Sequence, residues 1–207
     1  MKYKWIIGNG NFLEITFHSW KQAFPEEAIE KIDIQQHFDY NFDFSPLDKI
    51  DSSQGSAFVA LDERFGNFKR IELMQAVLER GFKLATFIHP TAVVCENTDI
   101  GINTFIGANT FIGHDCTIGY NTVINPGSHI SHGCRIKPSC WIESGVQLDS
   151  NVELGSNSIL RTGTIVRRGI RIGKSCELGW PKVYTSDIPN KTAFDIRYDN
   201  PIFVYET

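Results

Sequence analysis

An aliphatic side chain recurs at every sixth position from Ile88 to Leu178, and this repeat limits the possible folds more than any other feature of the chain. The sixteen positions are Ile88, Val94, Ile100, Ile106, Ile112, Ile118, Ile124, Ile130, Ile136, Ile142, Leu148, Leu154, Leu160, Val166, Ile172 and Leu178. An α-helix does not explain the period, because six residues rotate by about 240° around a helix of 3.6 residues per turn. An ordinary strand would alternate with a period of two. A fixed six-residue period is typical of a parallel β-helix.

The other positions of the hexad agree with this interpretation. Small or β-branched residues stand four positions after each aliphatic residue from Ile88 to Ile172, and turn-forming residues lie between them. The asparagines among the turn formers, which tolerate left-handed backbone, are Asn103, Asn109, Asn121, Asn151 and Asn157. The pattern predicts a triangular coil of three hexads, with neighbouring coils about 4.8 Å apart. Sixteen hexads give a little over five coils, without an inserted loop.

The residues before the repeat predict a small parallel α/β unit. Residues 4–7 form a first buried strand that runs into a Gly8-Asn9-Gly10 turn, and residues 57–61 form another interior strand. Apolar residues at helical spacing predict a helix over residues 68–80. A short strand over residues 83–87 follows, and the elements within residues 24–56 are left open. Strand, glycine turn, strand, helix and strand together are typical of such a unit.

The composition excludes several classes of protein. A formal net charge of −4 argues against a general nucleic-acid binder, and no apolar stretch is long enough to span a membrane. Four of the five cysteines occupy the small-residue position of the hexad, where we expect buried thiols rather than disulfides or metal ligands. We expect no metal, and we expect a bacterial-type cytoplasm as the compartment.

The two halves together resemble a known family. The landmarks are Ile6-Ile7-Gly8-Asn9-Gly10, residues 58–70, Ile88-His89-Pro90-Thr91-Ala92, residues 124–134 and Thr185-Ser186-Asp187-Ile188-Pro189. In these segments the chain is similar to hexapeptide-repeat sugar acyltransferases of the sialic acid O-acetyltransferase type, which include nucleotide-amino-sugar N-acetyltransferases. The resemblance implies a mixed fold. A Rossmann-like nucleotide-sugar-binding domain would span residues 1–87, a left-handed parallel β-helix residues 88–183, and a C-terminal tail residues 184–207.

The resemblance also implies a homotrimer with acetyl-CoA in the groove between subunits and a histidine general base at a corner of the β-helix. The matching motif is Ile130-Ser131-His132-Gly133-Cys134, so His132 is the candidate base. An imidazole is suited to take the proton of an attacking amine or hydroxyl at neutral pH.

This chain has Gly133 where relatives commonly carry an acidic residue after the base. One coil earlier, eighteen residues before, stand His114 and Asp115. We expect His114 to lie below His132, and we hypothesise that Asp115 partly replaces the missing carboxylate, with Gly133 leaving room for it. The alternative is that His114 and Asp115 are solvated corner residues.

Candidate cofactor-binding residues follow the same comparison. A basic cluster in the later coils suits the phosphates of coenzyme A, although solvated faces are also often basic. Trp141 stands where relatives carry a histidine near the cleft, and Trp180-Pro181 departs from the small residues usual near the last coil. The candidates are Trp141, Arg161, Arg167, Arg168 and Lys174.

Candidate substrate-binding residues lie in the first unit. The glycine turn suits a phosphate, and residues just beyond the strand that ends at Leu61 stand at the carboxyl edge of the sheet. The candidates are Gly8, Asn9, Gly10, Asn11, Asp62 and Arg64. The alternative for all six is a structural turn and a helix cap.

The sequence thus predicts an acetyl-CoA-dependent acyltransferase that acetylates a nucleotide-linked amino sugar destined for a surface polysaccharide or glycan. Direct attack requires neither a covalent enzyme intermediate nor a metal. Alternatives are an O-acetyltransferase or a longer-chain acyltransferase on the same fold, and a non-catalytic β-helix that binds a sugar nucleotide or serves in assembly.

Overall fold

A computed structural model describes residues 2–204 of the chain. The chain divides into two compact units, residues 1–87 and residues 88–207. No helix in the described part is long and apolar enough to cross a membrane.

The first unit contains a three-stranded parallel sheet and two α-helices. The elements are β1 (Tyr3–Gly8), α1 (Gly10–Ala23), β2 (Ala28–Asp33), β3 (Gly55–Ala60) and α2 (Phe68–Glu79), with short 3-10 turns at Leu47–Lys49 and Ser52–Gln54. The strand order is β2-β1-β3, so β1 is the central strand. The Rossmann-like classification of this unit stays a prediction, since the structure shows only these small sheet and helix elements.

Both faces of this sheet are covered, which explains the continuous apolar runs in β1 and β3. On one face, Ile7 and Val59 pack in a buried cluster with Leu73 and Val77 of α2. On the other face, Phe58 meets Trp20 of α1, with ring centroids 5.6 Å apart.

The sequence predictions for this unit need two corrections. Helix α1 was not predicted, although its buried residues Phe12, Leu13, Thr16 and Trp20 recur at helical spacing. The strand predicted over residues 83–87 is reduced to a single bridge between Leu84 and Ala57, before the chain enters β4 at Phe87.

The second unit is a left-handed parallel β-helix, as the resemblance implies. It has about six coils, compared with the little over five expected from sixteen hexads. Its strands, numbered along the chain, form three faces. The first face contains β4 (Phe87–Ile88), β7 (Phe105–Ile106), β10 (Val123–Ile124), β13 (Trp141–Ile142), β16 (Ile159–Leu160) and β19 (Glu177–Leu178). The second contains β5 (Val93–Val94), β8 (Phe111–Ile112), β11 (His129–Ile130), β14 (Gln147–Leu148), β17 (Ile165–Val166) and β20 (Val183–Tyr184). The third contains β6 (Asp99–Ile100), β9 (Thr117–Ile118), β12 (Arg135–Ile136), β15 (Glu153–Leu154) and β18 (Arg171–Ile172).

The residues after β20 continue the β-helix. Ile188 bridges Ile172 on the third face. Strand β21 (Thr192–Phe194) pairs in parallel with β19, and β22 (Ile202–Phe203) pairs antiparallel with β21.

The aliphatic repeat forms the core of the β-helix. From Ile106 to Leu178 every sixth residue is at most 3% exposed, whereas Ile88 in the first coil is 36% exposed. The first coil is less buried because only one of its two edges is covered by another coil.

The small residues beside the core also have a polar function. The hydroxyl of Thr98 donates to the carbonyl of Gly113 at 3.1 Å, and the thiol of Cys116 donates to the carbonyl of Ser131 at 3.2 Å. Each donor thus reaches a carbonyl of the next coil, fifteen residues on. Such bonds compensate a buried donor, which explains why Thr, Ser and Cys fill this position. Four cysteines are buried free thiols, as the hexads predict: Cys116, Cys134, Cys140 and Cys176.

Candidate active site

The predicted histidine corner is formed where the chain turns from the second face of the β-helix to the third. The N–H of Gly133 donates to the carbonyl of His114 at 2.9 Å, and the N–H of Asn151 donates to the carbonyl of His132 at 2.9 Å. The two histidines therefore occupy the same corner in consecutive coils. The eighteen-residue register read from the sequence is confirmed.

The backbone of this corner is left-handed at the residue after each histidine. Asp115 has φ of +59°, Gly133 has +71° and Asn151 has +60°. Because Asp, Asn and Gly tolerate this conformation best, the column contains only such residues. The same conformation at Asn103, Asn109, Asn121 and Asn157 confirms their predicted corner role.

Asp115 lies beside the candidate base. Its Oδ2 is 4.0 Å from Nδ1 of His132, and both side chains are more than half exposed. Oδ1 of Asp115 accepts a hydrogen bond of 3.3 Å from the amide of Asn97, one coil earlier. A distance of 4.0 Å is too long for a hydrogen bond, so the carboxylate is near the imidazole without being bonded to it.

The space beside Gly133 is occupied by the side chain of Asn151. A Cβ at Gly133 would meet the side-chain amide of Asn151, whose Cγ would be 3.3 Å away. Asn151 belongs to the following coil, on the side opposite Asp115. Asn151 is therefore the nearest neighbour of Gly133, and the partial replacement of the missing carboxylate by Asp115 stays a prediction.

Gly113 positions the candidate base from below, a role that sequence reasoning missed. A Cβ at Gly113 would lie 2.7 Å from the backbone N and 3.0 Å from the Cα of His132. The glycine that follows Ile112 thus permits the close approach of two coils at the histidine corner. The repeated glycine after the aliphatic residue was visible in the sequence, but its contact with His132 follows from the register.

His129 lies on the second face, three residues before His132. Its ring stacks on Phe111 of the neighbouring strand, with centroids 4.7 Å apart and planes inclined by 20°. His129 is exposed, so the stack forms part of the outer surface of β8 and β11.

The predicted basic cluster is distributed over three corners of the β-helix. Arg161 follows the first face, Arg167 and Arg168 follow the second face, and Lys174 follows the third face. Within one chain these residues do not form a single patch, because one coil of eighteen residues passes around the whole β-helix. Arg168 alone of the four stands in the histidine column, as the bond from Gly169 N–H to the Ser150 carbonyl shows.

Two of these arginines are engaged by carboxylates. Arg161 bonds Glu143 at 2.7 Å and Glu177 at 2.8 Å, and Arg167 bonds Asp149 at 3.3 Å. Partial burial alone would raise the pKa of Glu143, but hydrogen bonds from Arg161 and Thr162 hold this pKa below its usual value. These contacts leave less positive charge for a ligand than the sequence suggests.

Trp141 lies on the first face, away from the histidine corner of the same chain. It pairs with Val123 and Ile159 and is 7% exposed. Within one chain, Trp141 therefore does not line a cleft together with His132.

Three of the six predicted substrate-binding residues of the first unit line one cleft. Asn9, Gly10 and Arg64 line a cleft of about 360 Å³ at the carboxyl edge of the sheet, together with Asp33 and residues 34–36. The amide of Asn9 donates to the carbonyl of Ile34 at 3.1 Å, while its Oδ1 is buried without a partner among the described residues. Arg64 lies against Gly10, which has φ of +67°.

Asp62 holds Arg64 in this position. Two hydrogen bonds of 2.6 and 2.7 Å join the carboxylate to Nε and Nη2 of Arg64. Partial burial raises the pKa of Asp62, but the bonds from Arg64 outweigh this effect and keep the pKa below its usual value. The pair is therefore charged on both sides at neutral pH.

Gly8 and Asn11 are not among the residues that line this cleft. Gly8 is buried at the end of β1, where a Cβ would lie 2.6 Å from the carbonyl carbon of Ala60. Packing between β1 and β3 therefore requires a glycine at this position, in agreement with the structural alternative for the turn. Asn11 is exposed in the first turn of α1.

Comparison with known proteins supports the predicted resemblance. The family described as bacterial transferase hexapeptide (six repeats) matches residues 97–132. A crystal structure of PerB from Caulobacter crescentus in complex with CoA and GDP-perosamine is 27% identical, with a TM-score of 0.81 and 93% of each chain covered. A histidine-to-alanine mutant of GDP-perosamine N-acetyltransferase from the same organism, also in complex with CoA and GDP-perosamine, is 25% identical with the same TM-score and coverage.

The resemblance to nucleotide-amino-sugar acetyltransferases is confirmed. These matches also support the predicted enzyme class, an acyltransferase. The acetyltransferase domain of PglB from Neisseria gonorrhoeae, at 20% identity and a TM-score of 0.83 over 98% of this chain and 100% of that chain, shares the fold. A search of curated protein sequences found no match.

Proposed function

We propose that this protein transfers the acetyl group of acetyl-CoA to the amino group of a nucleotide-linked amino sugar. The observation that supports this most is the likeness over 93% of both chains to an N-acetyltransferase whose structures contain CoA and GDP-perosamine. The same relatives disfavour a non-catalytic β-helix. O-acetylation and transfer of a longer acyl chain remain alternatives on this fold.

In the proposed reaction, the amine nitrogen of the sugar attacks the thioester carbonyl carbon, and a tetrahedral oxyanion forms. Nε2 of His132 takes the proton that the nitrogen loses. The C–S bond then breaks, and the CoA thiolate leaves and is protonated. His132 is exposed at its corner, so a substrate has access to its imidazole, and neutral imidazole is an effective base near pH 7.

We propose that Asp115 acts as a positioning residue for His132. When the imidazole becomes charged during proton transfer, a carboxylate 4.0 Å away stabilises it electrostatically, although exposure to water weakens the effect. The Asp115→Asn variant should therefore lower the apparent pKa of the pH–rate profile. An unchanged profile would assign Asp115 to the solvated corner.

The proposal assigns CoA to the β-helix and the nucleotide to the first unit. The cofactor candidates remain Trp141, Arg161, Arg167, Arg168 and Lys174, and Arg168 has the strongest support because it stands two coils above His132 in the same column. In the first unit, the cleft at Asn9, Gly10 and Arg64 combines the N-terminus of α1 with a guanidinium, and both attract phosphate. A homotrimer and a cytoplasmic location are parts of the same proposal.

The test is thiol release from acetyl-CoA with a panel of UDP-, GDP- and dTDP-linked amino sugars. We expect turnover with one nucleotide sugar and a loss of at least 100-fold in kcat for His132→Ala. The His129→Ala variant is the matched control, since this exposed histidine lies three residues away. Equal rates in His132→Ala and the wild type would refute the role of His132, and no thiol release with any acceptor would refute the transferase proposal.

A further inference from the structure

The first unit carries a set of exposed aromatic residues that the acyl-transfer chemistry does not use. The ring of Phe38 is fully exposed, and Tyr40 and Phe65 are 53% and 52% exposed. Exposed aromatic rings that gather in one place often mark a binding surface. Tyr40 and Phe65 touch edge to face, with ring centroids 4.8 Å apart and planes inclined by 72°.

The backbone of both residues in this pair is in the left-handed conformation, which is unfavourable for bulky side chains. Tyr40 has φ of +65° and Phe65 has φ of +52°, and Phe65 is followed by Gly66 and Asn67, which are also left-handed. Bulky side chains rarely adopt positive φ, and such strain is concentrated at functional sites. The turn that carries Tyr40 is closed by hydrogen bonds between His37 and Asn41 and between Tyr40 and His37, each of 2.9 Å.

A cavity adjoins this pair. It has a volume of about 540 Å³ and is lined by residues 35–38, Tyr40 and Asp43. This volume is within the range of small-molecule sites. The cavity shares Gln35 and Gln36 with the cleft that holds Asn9, Gly10 and Arg64.

Gln36 joins the two spaces. Its amide donates to the carbonyl of Tyr40 at 3.0 Å, and its oxygen accepts a hydrogen bond of 3.1 Å from Arg64. A ligand with anionic groups at Arg64 would thus extend along Gln36 towards Tyr40. A nucleoside diphosphate has this arrangement, with phosphates at one end and a flat base at the other.

We infer that Tyr40 and Phe38 form a nucleobase-stacking subsite, and that Asp43 recognises the edge of a guanine base there. This inference rests on the proposed function, because it concerns the nucleotide part of the acceptor. Phe65 acts as a positioning residue that supports Tyr40. The N1–H and N2–H groups of guanine are two adjacent donors that match a carboxylate, whereas uracil presents one N–H between two carbonyl oxygens.

Asp43 is suited to this role by its own contacts. Its Oδ1 accepts a hydrogen bond of 2.9 Å from the N–H of Ser45, and its own N–H donates to the carbonyl of Gln35 at 2.9 Å. The bonds from Ser45 hold the pKa of the Asp43 carboxyl below its usual value. The carboxylate at the cavity is therefore ionised at neutral pH.

The test is calorimetric binding of GDP and UDP to the full chain. Base–aromatic stacking lost on alanine substitution corresponds to a decrease in affinity of about 10- to 100-fold. We expect this decrease for GDP with Tyr40→Ala and Phe38→Ala, and near wild-type affinity with Tyr40→Phe. The matched control is Tyr198→Ala, since Tyr198 is 52% exposed in the second unit and should leave GDP affinity unchanged.

Asp43→Asn tests the edge contact. Because asparagine keeps the acceptor for Ser45, we expect the fold to persist and the preference for GDP over UDP to fall at least fivefold. Equal affinity of wild-type protein for GDP and UDP would overturn the guanine assignment. Unchanged GDP affinity in Tyr40→Ala and Phe38→Ala would overturn the subsite, and a shift of oligomeric state in these variants without a change in affinity would assign the rings to an interface between copies.

Binding of GDP requires no acetyl transfer, so the two proposals fail separately. If thiol release is absent with every sugar while GDP binding depends on Tyr40, the subsite is retained and the transferase proposal fails. If a GDP-linked amino sugar is acetylated with the same KM by Tyr40→Ala and wild type, the transferase proposal is retained and the subsite is refuted.

Discussion

The Gly113→Ala variant tests whether the stacking of coils positions His132. A methyl group at Gly113 would lie 2.7 Å from the backbone nitrogen of His132, whereas ordinary contact begins near 3.4 Å. The backbone of His132 must therefore move by about 0.7 Å, because the neighbouring atoms are main chain and have no rotamer by which to avoid the contact.

We expect two effects from this displacement. A misplacement of about 1 Å costs roughly 100-fold when catalysis depends on orientation, so kcat for thiol release should fall by about 10- to 100-fold. Overpacking of this kind also costs about 1–3 kcal/mol of stability. The imidazole itself is unchanged, so the loss of rate would report its position.

The Gly119→Ala variant is the matched control. Its Cβ would lie 2.7 Å from the carbonyl carbon of Lys137 and from the Cα of Pro138, at the next corner of the β-helix. Because a Cβ at Gly119 would come even closer to the backbone nitrogen of Pro138 than one at Gly113 would come to His132, we expect a decrease in the urea midpoint at least as large, with a kcat close to that of the wild type. The reasoning is refuted if both variants lose kcat equally, or if Gly113→Ala retains wild-type kcat in spite of its lower stability.

Three further outcomes are expected. Ile142→Ala should lower the free energy of unfolding by about 2–5 kcal/mol, because Ile142 is fully buried. Ile102→Ala, at a residue that is 49% exposed, should change this free energy little. Similar urea midpoints for the two variants would contradict the assigned core. Burial raises the pKa of Tyr184 from 10.0 to about 12, so the free energy of unfolding should be insensitive to this group below pH 10 and fall between pH 10 and 12, because the unfolded chain loses the proton first. A stability difference between wild type and Tyr184→Phe that does not change across that window would disprove this contribution. Arg168→Ala should raise the KM for acetyl-CoA, with a smaller effect at high salt, while the exposed Lys137→Ala should not; equal effects of both substitutions would remove Arg168 from the CoA site.

Most of the β-helix could be predicted from the sequence because of its six-residue period. A six-residue repeat assigns every residue between 88 and 178 to the core, a corner or an outer face, because each coil repeats the same geometry. The eighteen-residue register therefore predicts that His114 and His132 stand in one column. It also predicted the left-handed corners at Asn103, Asn121 and Asn157, since few side chains tolerate that conformation.

The first unit was predicted less completely because it has no repeat. Helix α1 (Gly10–Ala23) is not predicted, because a glycine turn at its start is also typical of a loop, although Phe12, Thr16 and Trp20 recur at helical spacing. The sequence gives no clear pattern over residues 24–56, which contain β2 and the loop that carries Phe38 and Tyr40. Those aromatic residues had no periodic partner, so only the fold could show that they adjoin the cleft at Arg64.

The sequence by itself determined the β-helix and its register, because a strict period converts position along the chain into position around a coil. The candidate base His132 came from the resemblance to a known family and not from the period. Only the tertiary structure decided which neighbours those residues meet. The amide of Asn151, and not the carboxylate of Asp115, fills the space beside Gly133. The basic residues after Leu160 lie at three corners instead of forming one patch. Side-chain contacts between coils depend on directions and distances of a few tenths of an ångström, and a one-dimensional period does not contain them.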